Sequence, residues 1–464
     1  MNNEPDLLRD LDVLVIGAGI TGLTAAFYLA RGGRRVRVLE AAGGVGGAIQ
    51  TRPSDRPEGR WIVEIGPNTV VDSRPEVGRL LAAAGLEGAK VTGGAAAGKR
   101  YIWKGDRLHP LPGGPLSFLT TPLFSPSGKL RFFAEPFIGR PRDGREESVG
   151  EFVRRRLGAS FLDYAVGPFV SGVYAGDAER LSARWAVSRV WALEDRHGGL
   201  VRGAAALMLR RKGESDEPKP SKDLLSFADG LATLPRRLAE AVPVTTGVAC
   251  RALRRSGDGF TVTTDTGEVT ARQVIVTSPS DAAAGLLAEA TNGASAAFAD
   301  VPHAPVAVAA YGYRRQDVAH ALDGFGFLAP RIESLRILGC LFPSSIFPDR
   351  APEGHVLLTA FAGGRTDPEA VALSDDDLDR VVRGDLQRAV GIRGEPVFRS
   401  FSRWPRAIPQ YEVGHGRYYE LAAAIERDLP GLHVAGNYLH GVSVPDRIVR
   451  GTALAESILG ERAR

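Results

Sequence analysis

Gly17-Ala18-Gly19-Ile20-Thr21-Gly22 decides how this chain folds, because of what flanks it. Before it, Asp12-Val13-Leu14-Val15-Ile16 is a short apolar run that reads as a buried parallel strand. After it, Ile20–Arg31 has helical spacing and stops at Gly32-Gly33. Arg35-Val36-Arg37-Val38-Leu39 then reads as a second strand. A G-x-G-x-x-G pattern is weak alone, but at the first turn of a βαβ unit it has a mechanism. Gly17 permits the tight turn, Gly19 lets a pyrophosphate approach the backbone, and Gly22 lets helix and strand pack closely. The helix start, Ile20 and Thr21 included, offers unpaired N–H groups and positive potential to phosphates. Glu40, 23 residues after Gly17, is placed to accept hydrogen bonds from both hydroxyls of an adenosine ribose. It would repel a 2′-phosphate.

With 464 residues the chain has room for two or three domains. A net charge of +4 is too small to argue for nucleic acid as a partner. Residues 129–212 are more basic, with 16 Lys and Arg against 10 Asp and Glu. Such a segment suits an anionic surface or is simply a solvated face. Cys250 and Cys340 form no framework, CxxC or zinc spacing, and the eight histidines form no HExxH, so no metal site is expected. The start, Met1-Asn2-Asn3-Glu4-Pro5-Asp6, lacks the basic and apolar regions of a signal peptide. There is no run of about 18 apolar residues, so membrane contact, if present, is expected to be peripheral. The expected location is cytoplasmic.

Further pieces of a nucleotide domain recur later. They are a helix over 231–241, the alternating runs Phe260-Thr261-Val262-Thr263-Thr264 and Val274-Ile275-Val276, and Leu432-His433-Val434-Ala435-Gly436 followed by a helix over 448–459. The domain is therefore discontinuous. Residues 107–227 read as largely helical, with a polar break over 212–222 that contains Gly213, Pro218 and Pro220. Residues 301–394 alternate β-like runs, such as 306–311 and 356–361, with turns.

Gly43-Gly44-Val45-Gly46-Gly47 closely follows Glu40. It resembles the second glycine motif of glutathione-reductase-like and amine-oxidase-like flavoproteins, which lies on the FAD pyrophosphate. Gly44 stands where those families carry Arg, so another group or water is expected to replace that cation. Gly66-Pro67-Asn68 falls where the superfamily passes close to the flavin, and Gly436-Asn437-Tyr438 with Gly441-Val442-Ser443 resembles its C-terminal FAD motif. FAD is accordingly the expected, non-covalent cofactor, and the resemblance adds Ala41, Val248 and Trp404 to its contacts.

Four stretches narrow the family. They are Phe169-Val170-Ser171-Gly172-Val173-Tyr174-Ala175-Gly176-Asp177, Gly324-Phe325-Gly326-Phe327-Leu328-Ala329-Pro330, Leu338-Gly339-Cys340-Leu341-Phe342 with Phe347-Pro348-Asp349-Arg350, and Arg403-Trp404-Pro405-Arg406-Ala407-Ile408-Pro409-Gln410-Tyr411 with Gly414-His415. Together they resemble the oxygen-dependent protoporphyrinogen oxidases over nearly the whole chain. The resemblance implies an α/β plus α fold, like p-hydroxybenzoate hydroxylase and monoamine oxidase. A discontinuous Rossmann-type FAD domain would take 1–72, 228–300 and 395–464. A mixed α/β substrate domain would take 73–106 and 301–394, and a helical, membrane-associated domain 107–227. Leu116-Ser117-Phe118-Leu119-Thr120-Thr121-Pro122-Leu123-Phe124 and Phe132-Phe133 suit an interfacial surface or ordinary core packing.

The same resemblance assigns substrate positions. Arg100 matches an arginine that pairs with a propionate, for which a bidentate guanidinium is apt. Leu328 and Leu341 match an aliphatic pair around one pyrrole, Phe361 an aromatic that stacks on another, and Phe325 joins the set. Gly172 and Gly326 match glycines whose missing Cβ admits a flat macrocycle. The implied reaction is six-electron oxidation of protoporphyrinogen IX to protoporphyrin IX, in three two-electron cycles. Each would pass a hydride from a bridge carbon to flavin N5, with dioxygen as acceptor. No strong protein base is needed, because product aromaticity drives the reaction. Coproporphyrinogen III oxidation is the nearest alternative and calls for more cations around the pocket. An amine oxidase or carotenoid desaturase is more distant, since no flavin-side Lys or aromatic pair can be placed here. A non-catalytic flavin-binding membrane protein and a homodimer also remain open.

Overall fold

The computed structural model describes residues 11–140, 144–210, 221 and 223–460. The expected polar break over 212–222 lies outside the described residues except for Ser221, as does the start of the chain.

The opening βαβ unit forms as its residues dictate: β1 (Leu11–Ile16), α1 (Ile20–Arg31) and β2 (Val36–Glu40). β1 pairs in parallel with β2 on one side and with Gly267–Val276 on the other. Val244–Thr246 extends the sheet beyond β2. Gly267–Val276 is one long strand with two partners on its far edge. Its first half pairs antiparallel with Gly259–Thr264, and its last residues pair in parallel with Leu432–Val434. Three separate stretches of chain, 11–40, 244–276 and 432–434, thus build one seven-stranded nucleotide-type sheet. α1 packs against Val444–Gly460, where Gly451 allows contact so close that a Cβ would lie 2.6 Å from Thr21 O. That last helix begins earlier than the expected 448. Ser443 accepts from the Asp446 N–H as an N-cap, and Pro445 suits a first helical turn.

A second seven-stranded sheet runs, edge to edge, Phe398–Pro409, His303–Arg314, His355–Gly363, Gly339–Leu341, Gly326–Leu328, Arg100–Lys104 and Arg107–Pro110. Its membership differs from the expected divisions at both ends. Arg107–Pro110 forms a hairpin with Arg100–Lys104 instead of opening the helical segment. Phe398–Pro409, expected in the nucleotide domain, pairs along nearly its whole length with His303–Arg314. Pro75–Ala83, expected in the substrate domain, buries Val77, Leu80 and Leu81 in the core beside α1.

Residues 301–394 also hold an unexpected helix, Asp375–Val390. Ser374 caps its start, Gly391 ends it at φ +64°, and Leu378, Val382, Leu386 and Val390 bury its apolar stripe. It covers one sheet face, together with Tyr101, Phe327, Cys340 and Leu358.

Helices occupy most of the stretch from Pro115 to Arg210, while Leu224–Phe227 is a strand between Val70–Val71 and Lys90–Thr92. Many cations of the basic segment are paired internally. Arg156, fully buried, sits between Glu135 and Glu194, and Arg155 between Glu147 and Glu194. The aromatics divide. Phe124 stacks on Phe161 at 4.1 Å and is buried, whereas Leu116, Leu119, Leu130, Phe133 and Phe137 are exposed. Lys129 stands among them, donating to Leu119 O and Thr121 O. No described helix is long and apolar enough to cross a membrane.

Candidate active site: a glycine-lined groove meeting an apolar slot

The carboxyl ends of β1, β2, Gly267–Val276 and Leu432–Val434 point to one crevice, where open α/β sheets bind nucleotides. Gly17 has φ +106°, and Thr277 Oγ1 donates across it to Ile16 O and Gly17 O, both at 3.0 Å. A Cβ on Gly22 would lie 2.2 Å from Gly17 O, so this glycine serves packing. Gly19 differs: nothing lies within 4 Å of a Cβ there, and no side chain caps α1. The N–H groups of the first turn, at Ile20 and Thr21, therefore face a space left for an acceptor.

The second glycine loop is clasped to the first. The Gly46 N–H donates to Ala18 O at 2.8 Å, and a Cβ on Gly47 would come 3.3 Å from Gly19 Cα. Gln50, an ordinary polar residue with no motif around it, ties the loop by donating to Val45 O and Gly47 O. Gly43 and Gly44 are exposed, with no described atom within 4 Å of a Cβ at either, so the place of the absent Arg is open. Glu40 receives the Ala18 N–H at 2.7 Å and the Ala42 N–H at 2.9 Å, one on each carboxylate oxygen. Each oxygen keeps a second lone pair for a ribose hydroxyl. Val248 joins through its N–H to Glu40 O, and Ala41 lies exposed at the same strand end.

The remaining motifs converge. A Cβ on Gly66 would lie 1.9 Å from Ala48 O, directly after the second loop. Asn68 donates back to Gly66 O across Pro67, and Trp404 Nε1 donates to Ile65 O at 2.7 Å. The Ala435 N–H bonds Val276 O, and a Cβ on Gly436 would lie 2.8 Å from Ser278 O. Tyr411 spans the C-terminal loop: its hydroxyl donates to Asn437 O and accepts from the Gly441 N–H. His415 stacks on Tyr411 at 4.3 Å and donates to Tyr438 O. Burial holds its pKa down at about 4, so it stays neutral.

All the expected substrate residues of the second sheet lie on one face. Register pairs Arg100 with Gly326 and Gly326 with Leu341, while Leu328 pairs with Gly339 and Gly339 with Phe361. Residues paired across strands share a face. The same face continues through Val308 and Val306 to Trp404. Leu328, Leu341, Phe361 and Trp404 are only half-buried, which leaves an apolar slot. Its roof is the helix Gly167–Tyr174. A Cβ on Gly172 would lie 2.5 Å from Leu328 Cδ2, and Phe169 and Val173 are exposed beside it. Leu328 and Val442 pack against one hydrophobic cluster, so slot and groove meet. Arg100 is exposed at the start of its strand, its guanidinium 5.2 Å over the Phe325 ring, with no carboxylate partner among the described residues.

The sequence matches the flavin containing amine oxidoreductase family model over residues 20–459. The chain belongs to that family. It is 32% identical to coproporphyrinogen III oxidase of Bacillus subtilis (strain 168), covering 96% of this chain and 97% of that protein. It is 30% identical to protoporphyrinogen oxidase 2, chloroplastic/mitochondrial, of Arabidopsis thaliana, covering 96% and 93%. A solved protein of Exiguobacterium sp. 255-15 superposes with a TM-score of 0.79 at 25% identity, covering 98% of this chain and 99% of that one. This family member is therefore an FAD-dependent oxidoreductase. The open Gly19, the clasped second loop and the oriented Glu40 fit an extended dinucleotide.

Proposed function

We propose that this enzyme oxidises protoporphyrinogen IX to protoporphyrin IX with dioxygen as acceptor. One observation carries the reading: Arg100, Gly326, Leu328, Leu341 and Phe361, far apart in sequence, share one sheet face that leads to the flavin loops. When bound, FAD supplies two-electron oxidation and returns the electrons to dioxygen. The protein's part is placement. Leu328, Leu341 and Phe361 present a flat apolar wall to a tetrapyrrole, and the absent Cβ of Gly172 gives the Leu328 side chain room to seat against the helix above. Arg100, free at the mouth, receives a propionate bidentately.

The Bacillus subtilis relative favours a second reading, coproporphyrinogen III as substrate of the same site. Purified enzyme is given each porphyrinogen in air and porphyrin fluorescence is followed. Faster turnover (kcat/KM) of protoporphyrinogen supports the first reading, preference for coproporphyrinogen replaces it with the second, and turnover of neither defeats both.

The exposed Leu116, Leu119, Leu130, Phe133 and Phe137, with Lys129 among them, support peripheral contact of the helical region with the cytoplasmic membrane. Co-sedimentation with anionic vesicles that is lost in Leu116→Ser/Phe137→Ser is the expected result; equal binding of the variant would refute it. A homodimer is read separately, by sedimentation of the holoenzyme.

A further inference from the structure

Arg447 lies in the first turn of Val444–Gly460, on the side facing the C-terminal cofactor loop. It is 5% exposed. Its Nη1 donates to Gly436 O at 2.9 Å and to Ala435 O at 3.4 Å, immediately before Asn437. Nε and Nη2 are buried and meet no hydrogen-bond partner among the described residues.

The charge is also poorly neutralised. Asp446 is the neighbouring acid, but its carboxylate accepts from Ser443 Oγ and lies 3.4 Å from Arg189 and 3.9 Å from Arg74. That carboxylate is thus already shared by two arginines, neither of them Arg447. Arg450, one turn on, belongs with Glu426 at 3.6 Å. The other groups around Arg447 are Tyr411 and Tyr419, whose hydroxyls are taken by loop backbone at Gly441, Asn437 and His440. A buried guanidinium without a dedicated carboxylate destabilises the fold unless its field is used.

The geometry points to a role for Arg447 as a positioning residue that fixes the flavin-end loop from beneath and lends its charge to the reduced cofactor. Gly436, Asn437, Gly441, Val442 and Ser443 are the loop on which the flavin end is read to lie. When a flavin gains two electrons, negative charge collects on its pyrimidine side. A fixed cation in a low-dielectric setting, close under that loop, stabilises this form and makes the flavin a stronger oxidant. The inference rests on FAD occupying the groove.

Sulfite reads this charge without substrate. Its sulfur bonds to flavin N5, and the displaced electron pair rests as negative charge on N1–C2=O, bleaching the yellow absorbance. Holoenzymes of wild type, Arg447→Met and Arg447→Lys are titrated with sulfite, and their reduction potentials are measured by dye equilibration. The expected result is sulfite uptake by wild type, at least tenfold weaker uptake and a lower potential in Arg447→Met, and recovery to near wild type in Arg447→Lys. Yellow Arg447→Met enzyme with wild-type sulfite affinity and potential overturns the inference. If that variant yields no folded holoenzyme, wild type decides: a flavin that takes up no sulfite overturns it, and one that does supports it. A colourless wild type would instead defeat the FAD assignment itself.

Discussion

Gly172 and Leu328 touch so closely that the smallest side chain on Gly172 would come 2.5 Å from Leu328 Cδ2. The neighbour is the far end of a flexible side chain, so a Cβ would push Leu328 into the slot it lines and leave the fold intact. Gly172→Ala is expected to lower kcat/KM about tenfold or more while thermal stability holds or rises slightly, since Ala favours a helix over Gly by about 1 kcal/mol. Adding Leu328→Ala should restore part of the activity. Steady-state kinetics and thermal melts of the single and double variants check this, and independent, additive losses would place the two residues in separate roles.

Gly19 and Gly22 separate cofactor binding from folding. The Gly19 Cβ position is open, so Gly19→Val should fold and lose the yellow absorbance, because the side chain takes pyrophosphate space. Gly22→Val meets Gly17 O at 2.2 Å, which is backbone, and should reduce soluble expression or melt far lower. A Gly19→Val enzyme with full flavin content would contradict the placement of the loop.

Arg100 has no carboxylate partner among the described residues, so its removal leaves no buried charge behind there. Arg100→Ala is expected to raise KM about tenfold with kcat nearly unchanged, which corresponds to ~1.4 kcal/mol of uniform binding. A loss of kcat with KM untouched would assign it a role in the reaction step.

His415 makes stability depend on pH. Its pKa is held at about 4 by burial, below the ordinary 6.5. The unfolded chain therefore takes the proton first as pH falls, so the stability His415 contributes is complete above 6.5 and is lost progressively toward 4. The shift corresponds to about 3 kcal/mol at most. His440, likewise lowered to about 4 by burial with Arg450 and Arg447 nearby, adds to the same window. Melting curves between pH 7 and 4 should steepen downward, and His415→Gln should flatten the slope. An unchanged slope in that variant would exclude His415 as a source.

The parts legible in the sequence are those written locally. The glycine turn, its flanking strand and helix, and Glu40 lie within 30 residues, and each constrains the next. The helix Asp375–Val390 was equally local, with its Ser374 and Gly391 caps, but its acidic start and frequent charges hide the apolar stripe among β-like neighbours. Sheet membership was not legible. Nothing in Phe398–Pro409 says that its partner is His303–Arg314, because pairing over such a distance is settled by which faces are left to bury. Arg447 was invisible for a related reason: on a helix with other charges it reads as surface, and only the fold places it under the loop.

A porphyrinogen in the slot is expected to give its electrons directly to the flavin in the groove. Mixing excess holoenzyme with a limiting amount of protoporphyrinogen IX under argon tests it with no reoxidation of the flavin. The yellow absorbance should bleach, three flavins should be reduced for each porphyrin formed, and air should restore the colour. A flavin that stays yellow while substrate is present, or porphyrin that appears without bleaching, would contradict it.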